Sequence, residues 1–264
     1  GKEKLDRLHS LHQRITISVT VDNFTSLEGL EKRFTNDGRP LTVLIECDTG
    51  MGRCGVQMPE EALELARHID QSRGLKFGGL MTYPATGKAE QAEQWLVEAR
   101  NLLVTNGLQC ETISSGGTPD MWRSPNESVI TEYRPGTYIY FDRYQVGQGA
   151  AVLDDCALTV LSTIVSHPTP DRAIIDAGSK SLSSDTLGLV DFGELAERPD
   201  ARVTGLSEEH GTLKGDIAGL KVGDKVRVIP DHVCVVSNLF DEVHLISGDD
   251  VIDILPVAAR GKLN

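Results

Sequence analysis

The chain has 264 residues, a formal net charge of −13 and an apolar fraction of 39%. That length suits one large domain or two smaller ones, and the ordinary composition excludes fibrous and disordered classes. The acidic balance, with no basic cluster or stripe, excludes a nucleic-acid-binding surface, and no apolar run is long enough to span a bilayer. No secretory signal pattern opens the chain, so the expected setting is the cytoplasm and the expected partners are small molecules.

Taken in chain order, the first part alternates helical and strand patterns. Leu5 to Gln13 reads as the end of a helix, Ile15 to Val21 as a strand and Phe24 to Phe34 as a helix. Leu41 to Asp48 is a strand, and Pro59 to Ile69 is a helix with Ala62, Leu63, Leu65, Ala66 and Ile69 on one face. A strand over Lys76 to Thr82, a helix over Glu90 to Asn106, a strand over Gln109 to Ser115 and a short strand near Val129 to Glu132 follow. From Asp154 the pattern changes to short strands between turns: Ala157 to Ser166, Arg172 to Asp176, Arg202 to Leu206, Lys225 to Ile229, Val233 to Ser237, Glu242 to Ile246 and Val251 to Leu255. The fold class expected is therefore α/β plus all-β, with a (β/α) part over residues 1–150 and a β-domain over 151–264.

A closed (β/α) barrel has eight strands and spends roughly 30 residues on each unit. The first part shows about five strands, so the count expects roughly three further units, on the order of 90–100 residues, ahead of Gly1.

Four stretches carry candidate chemistry. "CDTGMGRCGV" places Arg53 just past a strand's C-terminal end, the active-site face of such a barrel, and a solvated arginine in a glycine-rich turn is the plainer alternative. "SSGGTP" offers backbone amides and hydroxyls at another strand end, a kit for a phosphate, although glycine-rich strand ends are common. "EYRPGTYIYFD" puts Tyr138 and Tyr140 on one face of an extended segment, for a site or for core packing. In "PDHVCVVSN", His232 and Cys234 at i and i+2 on a strand face the same way, so an imidazole and a thiolate can converge on a metal such as zinc. A buried cysteine beside a half-exposed histidine is the alternative. The other cysteines, Cys47, Cys54, Cys110 and Cys156, form no Cys-x-x-Cys pair and read as small hydrophobes in a reducing compartment.

The ordered set "IECDTGMGRCGV", "GGLMTYP", "SSGGTPD", "TEYRPGTYIYFD", "IIDAGSKSLSSD", "LSEEHG" and "PDHVCVVSN" resembles the D-threonine aldolase and D-serine dehydratase family. These are pyridoxal-phosphate enzymes with an alanine-racemase-like TIM barrel followed by a β-domain. The resemblance implies that Arg53 faces the pyridine nitrogen, that Ser115, Gly116, Gly117 and Thr118 surround the cofactor phosphate, and that Tyr83 and Tyr138 line the pocket. It implies His232 and Cys234 as ligands of a divalent metal, zinc first, with manganese or magnesium as alternatives. It also implies a homodimer. Glu208, Glu209 and His210 are a candidate outer shell for the metal or, equally, a solvated turn, Asp176 and Asp185 flank the AGSKSLSS loop and either fix it or approach the site, and His167 and His244 are assigned to structure.

Two departures are visible. The family's Schiff-base lysine lies in an N-terminal Arg-Pro-His-x-Lys-type segment that these residues do not contain, and Lys180 in the β-domain is not promoted in its place. Many aldolases of the family read Gly-Tyr-x-Gly-His where this chain has Met81-Thr82-Tyr83-Pro84-Ala85. The expected function is a metal-assisted lyase acting on β-hydroxy D-amino acids, D-threonine-aldolase-like and yielding glycine and an aldehyde. A D-serine-dehydratase-like ammonia-lyase or a 3-hydroxy-D-aspartate lyase is the near alternative. A non-catalytic remnant that binds metal or a partner is the alternative from another class.

Overall fold

A computed structural model of the chain describes residues 1–122 and 128–263. The chain forms two compact units, residues 1–135 and 136–264. The division falls ahead of position 150, where the sequence pattern changes, because residues 142–144 bond to Asp231, Val233 and Glu194 of the second unit.

In the first unit, helices and strands alternate: α1 (Lys2–His12), β1 (Ser18–Val21), α2 (Phe24–Phe34), β2 (Leu41–Cys47), α3 (Pro59–Gln71), β3 (Leu75–Thr82), α4 (Ala89–Thr105), β4 (Thr112–Ser115) and β5 (Glu132–Tyr133). The strands are parallel and hydrogen-bonded in the order β1-β2-β3-β4-β5. Sequential neighbours joined through helices are the arrangement of an arc of a (β/α) barrel. β2 is buried along nearly its whole length, as a strand of a covered parallel sheet must be, and the α2 and α3 faces seal it with Leu27, Phe34, Leu63, Ala66 and Ile69. Each of the leucine, phenylalanine and isoleucine side chains contributes about 1.5–3 kcal/mol on burial. Pro59 opens α3 at a position that needs no amide donor, and Glu61 Oε2 reaches back to the backbone N–H of Gln57 (2.7 Å) and Met58 (3.1 Å). That closes the loop after β2, which carries Arg53.

The second unit starts with a 3-10 turn at Thr137–Ile139 and α5 (Arg143–Gly147). Then come β6 (Val160–Thr169), β7 (Arg172–Ile175), α6 (Ser179–Leu182), β8 (Gly193–Leu195), β9 (Arg198–Leu206), β10 (Gly211–Gly215), β11 (Lys225–Pro230), α7 (Val233–Ser237), β12 (Glu242–Ser247) and β13 (Asp250–Pro256). Six strands close into an antiparallel barrel in the order β10-β7-β6-β11-β8-β9, and β12 and β13 form a separate hairpin. Ile164, Ile175, Val203, Leu213 and Val228 fill the barrel.

Two expectations are corrected here. Val233–Ser237 is a short helix, not a strand, because Asp142 caps it from outside (Oδ2 to Val233 N, 2.9 Å). Tyr138 lies in a 3-10 turn, not in an extended segment, as Tyr140 N and Phe141 N both bond back to the Thr137 carbonyl. Among the described residues no helix is long and apolar enough to cross a membrane.

Candidate active site

The first group of functional side chains stands at the C-terminal ends of β2, β3 and β4. Asp48, directly after β2, accepts hydrogen bonds on Oδ1 from Gly50 N (2.9 Å) and Gly52 N (3.0 Å), and those two amides hold its carboxyl below the usual range. Gly55 N is tied to Asp22 Oδ2 beyond β1 (3.0 Å) and Val56 pairs with Glu46 and Asp48. A side chain at Gly55, φ +122°, would strike the Asp48 backbone, so this close return of the chain requires glycine. The loop presents Arg53, whose Nη2 is 3.6 Å from Glu46 Oε1 and whose guanidinium lies over the Tyr83 ring, 5.2 Å from its centroid. Such stacking is worth about 0.5–1 kcal/mol at an exposed site and fixes the direction of the cation.

Ser115 ends β4, and Gly116, Gly117 and Thr118 follow it. Gly116 has φ +83°, and an added methyl would fall 2.0 Å from the Tyr133 ring; a methyl on Gly117 would sit 3.3 Å from the Tyr83 ring. The Tyr133 hydroxyl is hydrogen-bonded to the Gly117 backbone, and burial raises its pKa. Ser115 and Thr118 are buried, and a small recess lined by Pro84, Ser115, Gly116, Asp120 and Tyr133 opens beside them. The Tyr133 and Tyr83 rings pack against the glycine faces of the turn, whose hydroxyls and backbone amides are the group types that can hold an anion. Arg53, Tyr83 and Ser115 to Thr118 are thus brought together, and Tyr133 joins them.

Sequence reasoning missed Tyr133, although it stands within a quoted motif; its position opposite Gly116 depends on the β4–β5 pairing, Ser115 with Tyr133. It missed Arg134 as well. That half-buried guanidinium donates to Thr82 O (2.7 Å) and Ser114 Oγ (2.5 Å), joining the ends of β3 and β4 under Tyr83 and Ser115. Burial lowers its pKa.

The second group lies in the second unit. His232 immediately precedes α7, its side chain making no capping bond, and Cys234 stands two residues on. Their side chains are hydrogen-bonded to each other despite the helical backbone, so the pair converges as expected for a different geometric reason. His232 Nδ1 meets Asp185 Oδ2 at 2.8 Å, and Thr137 Oγ1 is 3.5 Å from Cys234 Sγ. The bond to Cys234, together with the one to Asp185, pushes the His232 pKa up to about 9, and the bond from His232 pulls the Cys234 thiol down. With Nδ1 engaged by a carboxylate, Nε2 is the nitrogen left for a metal, the usual arrangement of a carboxylate-oriented histidine ligand. Imidazole nitrogen and an acidified thiol are a donor set that fits zinc. Among the described residues no group of three or more His, Cys, Asp or Glu gathers to hold a metal, so the protein offers these two donors.

Asp185, and neither Glu208 nor Glu209, is the carboxylate that bonds the His232 ring. Those two pair with Lys180 Nζ instead, each at 3.0 Å. Their carboxylates raise the Lys180 pKa, which is opposite to what a Schiff-base amine needs. Asp176 serves the barrel, accepting from Ser162 Oγ and Thr163 N at 2.7 Å, and His167 Nδ1 lies 2.9 Å from the Leu220 carbonyl. His244 sits on the exposed hairpin beside Glu242, and Tyr138 is half-exposed, next in the chain to Thr137.

Comparison with known proteins matches both parts of the chain. Residues 3–144 match the family described as alanine racemase, N-terminal domain, and residues 157–246 match the putative serine dehydratase domain. The chain is 33% identical over 276 residues to a D-threonine aldolase of Arthrobacter sp., covering 99% of this chain and 72% of that protein. It is 30% identical to a 3-hydroxy-D-aspartate aldolase of Paracoccus denitrificans, covering 98% and 71%. The crystal structure of D-threonine aldolase from Filomicrobium marinum superposes with a TM-score of 0.86 at 28% identity, covering 100% of this chain and 75% of that one. The fold is accordingly the alanine-racemase-like one, a parallel α/β domain followed by an antiparallel β-barrel, and the chain belongs to the D-threonine aldolase and D-serine dehydratase family.

Proposed function

We propose that this protein is a pyridoxal-phosphate-dependent, metal-assisted lyase that cleaves β-hydroxy D-amino acids to glycine and an aldehyde. The observation that carries the reading is the His232–Cys234 pair, oriented by Asp185, in a chain whose other unit gathers Arg53, Tyr83 and the Ser115 to Thr118 turn. Ser115, Gly116, Gly117, Thr118 and the Tyr133 hydroxyl would hold the cofactor phosphate. Arg53 would face the pyridine nitrogen, and a permanent cation there disfavours a proton on that nitrogen. Tyr83 would line the cofactor pocket, and His232 Nε2 and Cys234 Sγ would hold the divalent metal, zinc by the softness of the thiolate. When bound, the cofactor supplies an electron sink for charge at Cα and the metal a Lewis acid for the substrate hydroxyl.

The chain's own residues do the positioning. Glu46 and the Tyr83 ring fix Arg53, the Tyr133 ring packs against the Gly116 turn, and Asp185 sets the His232 ring. The five free thiols suit the reducing cytoplasm, and a homodimer is the expected assembly.

A dehydratase reading is favoured by the match of residues 157–246 to the putative serine dehydratase domain. The protein expressed from its complete reading frame, supplied with pyridoxal phosphate and zinc, distinguishes the two. D-Threonine is expected to give glycine and acetaldehyde faster than D-serine gives a 2-oxo acid and ammonia. The reverse ranking makes it a dehydratase, and neither product would sink both forms.

A further inference from the structure

Among the described residues, the non-glycine positions with left-handed φ are Phe141 (50°), Ser183 (64°) and Leu187 (50°). Each such residue costs on the order of 1–3 kcal/mol and persists only where its surroundings demand it. Phe141 immediately precedes Asp142, whose carboxylate binds the residue after His232. Ser183 and Leu187 bracket Asp185, whose carboxylate binds the His232 ring itself. Ser183 Oγ accepts from Asp185 N at 3.0 Å and Asp185 Oδ1 accepts from Leu187 N at 3.3 Å, so the bracket is bonded on both sides.

The chain around His232 is gripped by three consecutive residues. Asp142, fully buried, accepts from Gln145 N through Oδ1 and from Val233 N through Oδ2, both at 2.9 Å, and so caps α5 and α7 with one carboxylate. Arg143 donates through Nη1 to Asp231 Oδ1 and through Nε to Glu194 Oε2 of β8 (2.9 Å), with Nη2 3.5 Å from Asp191. Tyr144 N donates to the Asp231 carbonyl at 3.3 Å. Residues 142–144 thus hold Asp231 and Val233 on either side of His232, while Arg143 ties them to the barrel wall.

Stability alone does not account for this arrangement. Buried ion clusters are often no better than apolar packing of the same volume, and here Glu194 Oε1 and Asp231 Oδ2 are buried with no hydrogen-bond partner among the described residues. These bonds tie the backbone on both sides of His232 to α5 and the barrel wall. We propose that Asp142 and Arg143 are positioning residues, a brace that sets the imidazole and the thiol in register before a metal arrives. This rests on the reading of His232 and Cys234 as metal ligands.

The test uses cobalt(II) alone, added to the metal-stripped protein, with affinity measured by chelator competition and the thiolate-to-cobalt charge-transfer band recorded. Circular dichroism reports the fold. Arg143→Lys keeps a cation among the buried carboxylates and loses the guanidinium fork. It is expected to fold, to bind cobalt about 10-fold more weakly, and to shift or weaken the band. Arg143→Met and Asp142→Asn are expected to weaken binding toward 100-fold, the upper end for residues that orient a ligand. If either of these two fails to fold, Arg143→Lys decides. Wild-type affinity and an unchanged band in folded Arg143→Lys overturn the brace. A wild-type protein that gives no thiolate band overturns the metal reading itself, which is a different result.

Discussion

Asp48 and Lys180 illustrate how a single charged group defines what its surroundings can do. The Asp48 carboxylate is held below its usual pKa first by Gly52 N–H and then by Gly50 N–H, and these bonds shape the loop that presents Arg53. A folded pKa below the unfolded one means that this contribution is present above the unfolded value and is lost as pH falls through the folded value. Acidification below the ordinary carboxylate range should therefore loosen the loop first. Asp48→Ala should do the same at neutral pH, losing about 1 kcal/mol after solvent screening and weakening cofactor affinity about fivefold. Amide exchange at Gly50 and Gly52 would report it, and unchanged protection would remove Asp48 from this role. For Lys180 the sign is opposite. Glu208 first and Glu209 second raise its pKa, which favours the ammonium over the free amine a nucleophile needs. Lys180→Ala is expected to leave lyase activity within about twofold, and a colourless, inactive variant would contradict this.

At the scale of elements, the turn after β4 shows how local backbone and distant packing combine. Gly116 at φ +83° has the Tyr133 ring against its bare face, whereas Gly107 at φ +81° has open space. Gly107→Ala should cost about 1 kcal/mol through backbone strain alone. Gly116→Ala carries the same strain and must also displace a ring, so it should cost about 1–3 kcal/mol and lose cofactor binding. Thermal denaturation alongside cofactor titration separates the two, and equal behaviour would mean that Tyr133 does not wall the site. The alternation that predicts β2, α3, β3 and α4 was legible because each element carries its own period of apolar residues. α7 was not, because Val233-Cys234-Val235-Val236 has strand propensity and only the Asp142 carboxylate, far away in the chain, makes it helical. β8 and β10 escaped for a related reason: both are short, begin with glycine, and are strands only by virtue of their partners in the barrel.

For the whole molecule, each chemical group is built from residues of one unit. Arg53, Tyr83, Tyr133 and the 115–118 turn belong to residues 1–135, while His232, Cys234, Asp185 and Thr137 belong to residues 136–264. Arg53, Tyr83, the 115–118 turn, His232 and Cys234 were readable because each stands in a short local motif of the chain. The residues that hold them, Arg134, Asp142 and Arg143, were not, because a bond between positions 143 and 231 has no local signature. The division of labour predicts a separation in experiment. Stripping the metal with a chelator should leave the visible absorption of bound pyridoxal phosphate in place, since none of the residues assigned to the cofactor's phosphate or ring nitrogen is a metal ligand. Activity should nevertheless fall on the order of 100-fold, the equivalent of the few kcal/mol that a Lewis acid contributes, and zinc should restore it. Cys234→Ala should reproduce the stripped state and resist rescue at ordinary zinc concentrations. If chelation instead bleaches the cofactor, the metal and cofactor groups do not act as separate pieces and the assignment of His232 and Cys234 to the metal alone fails.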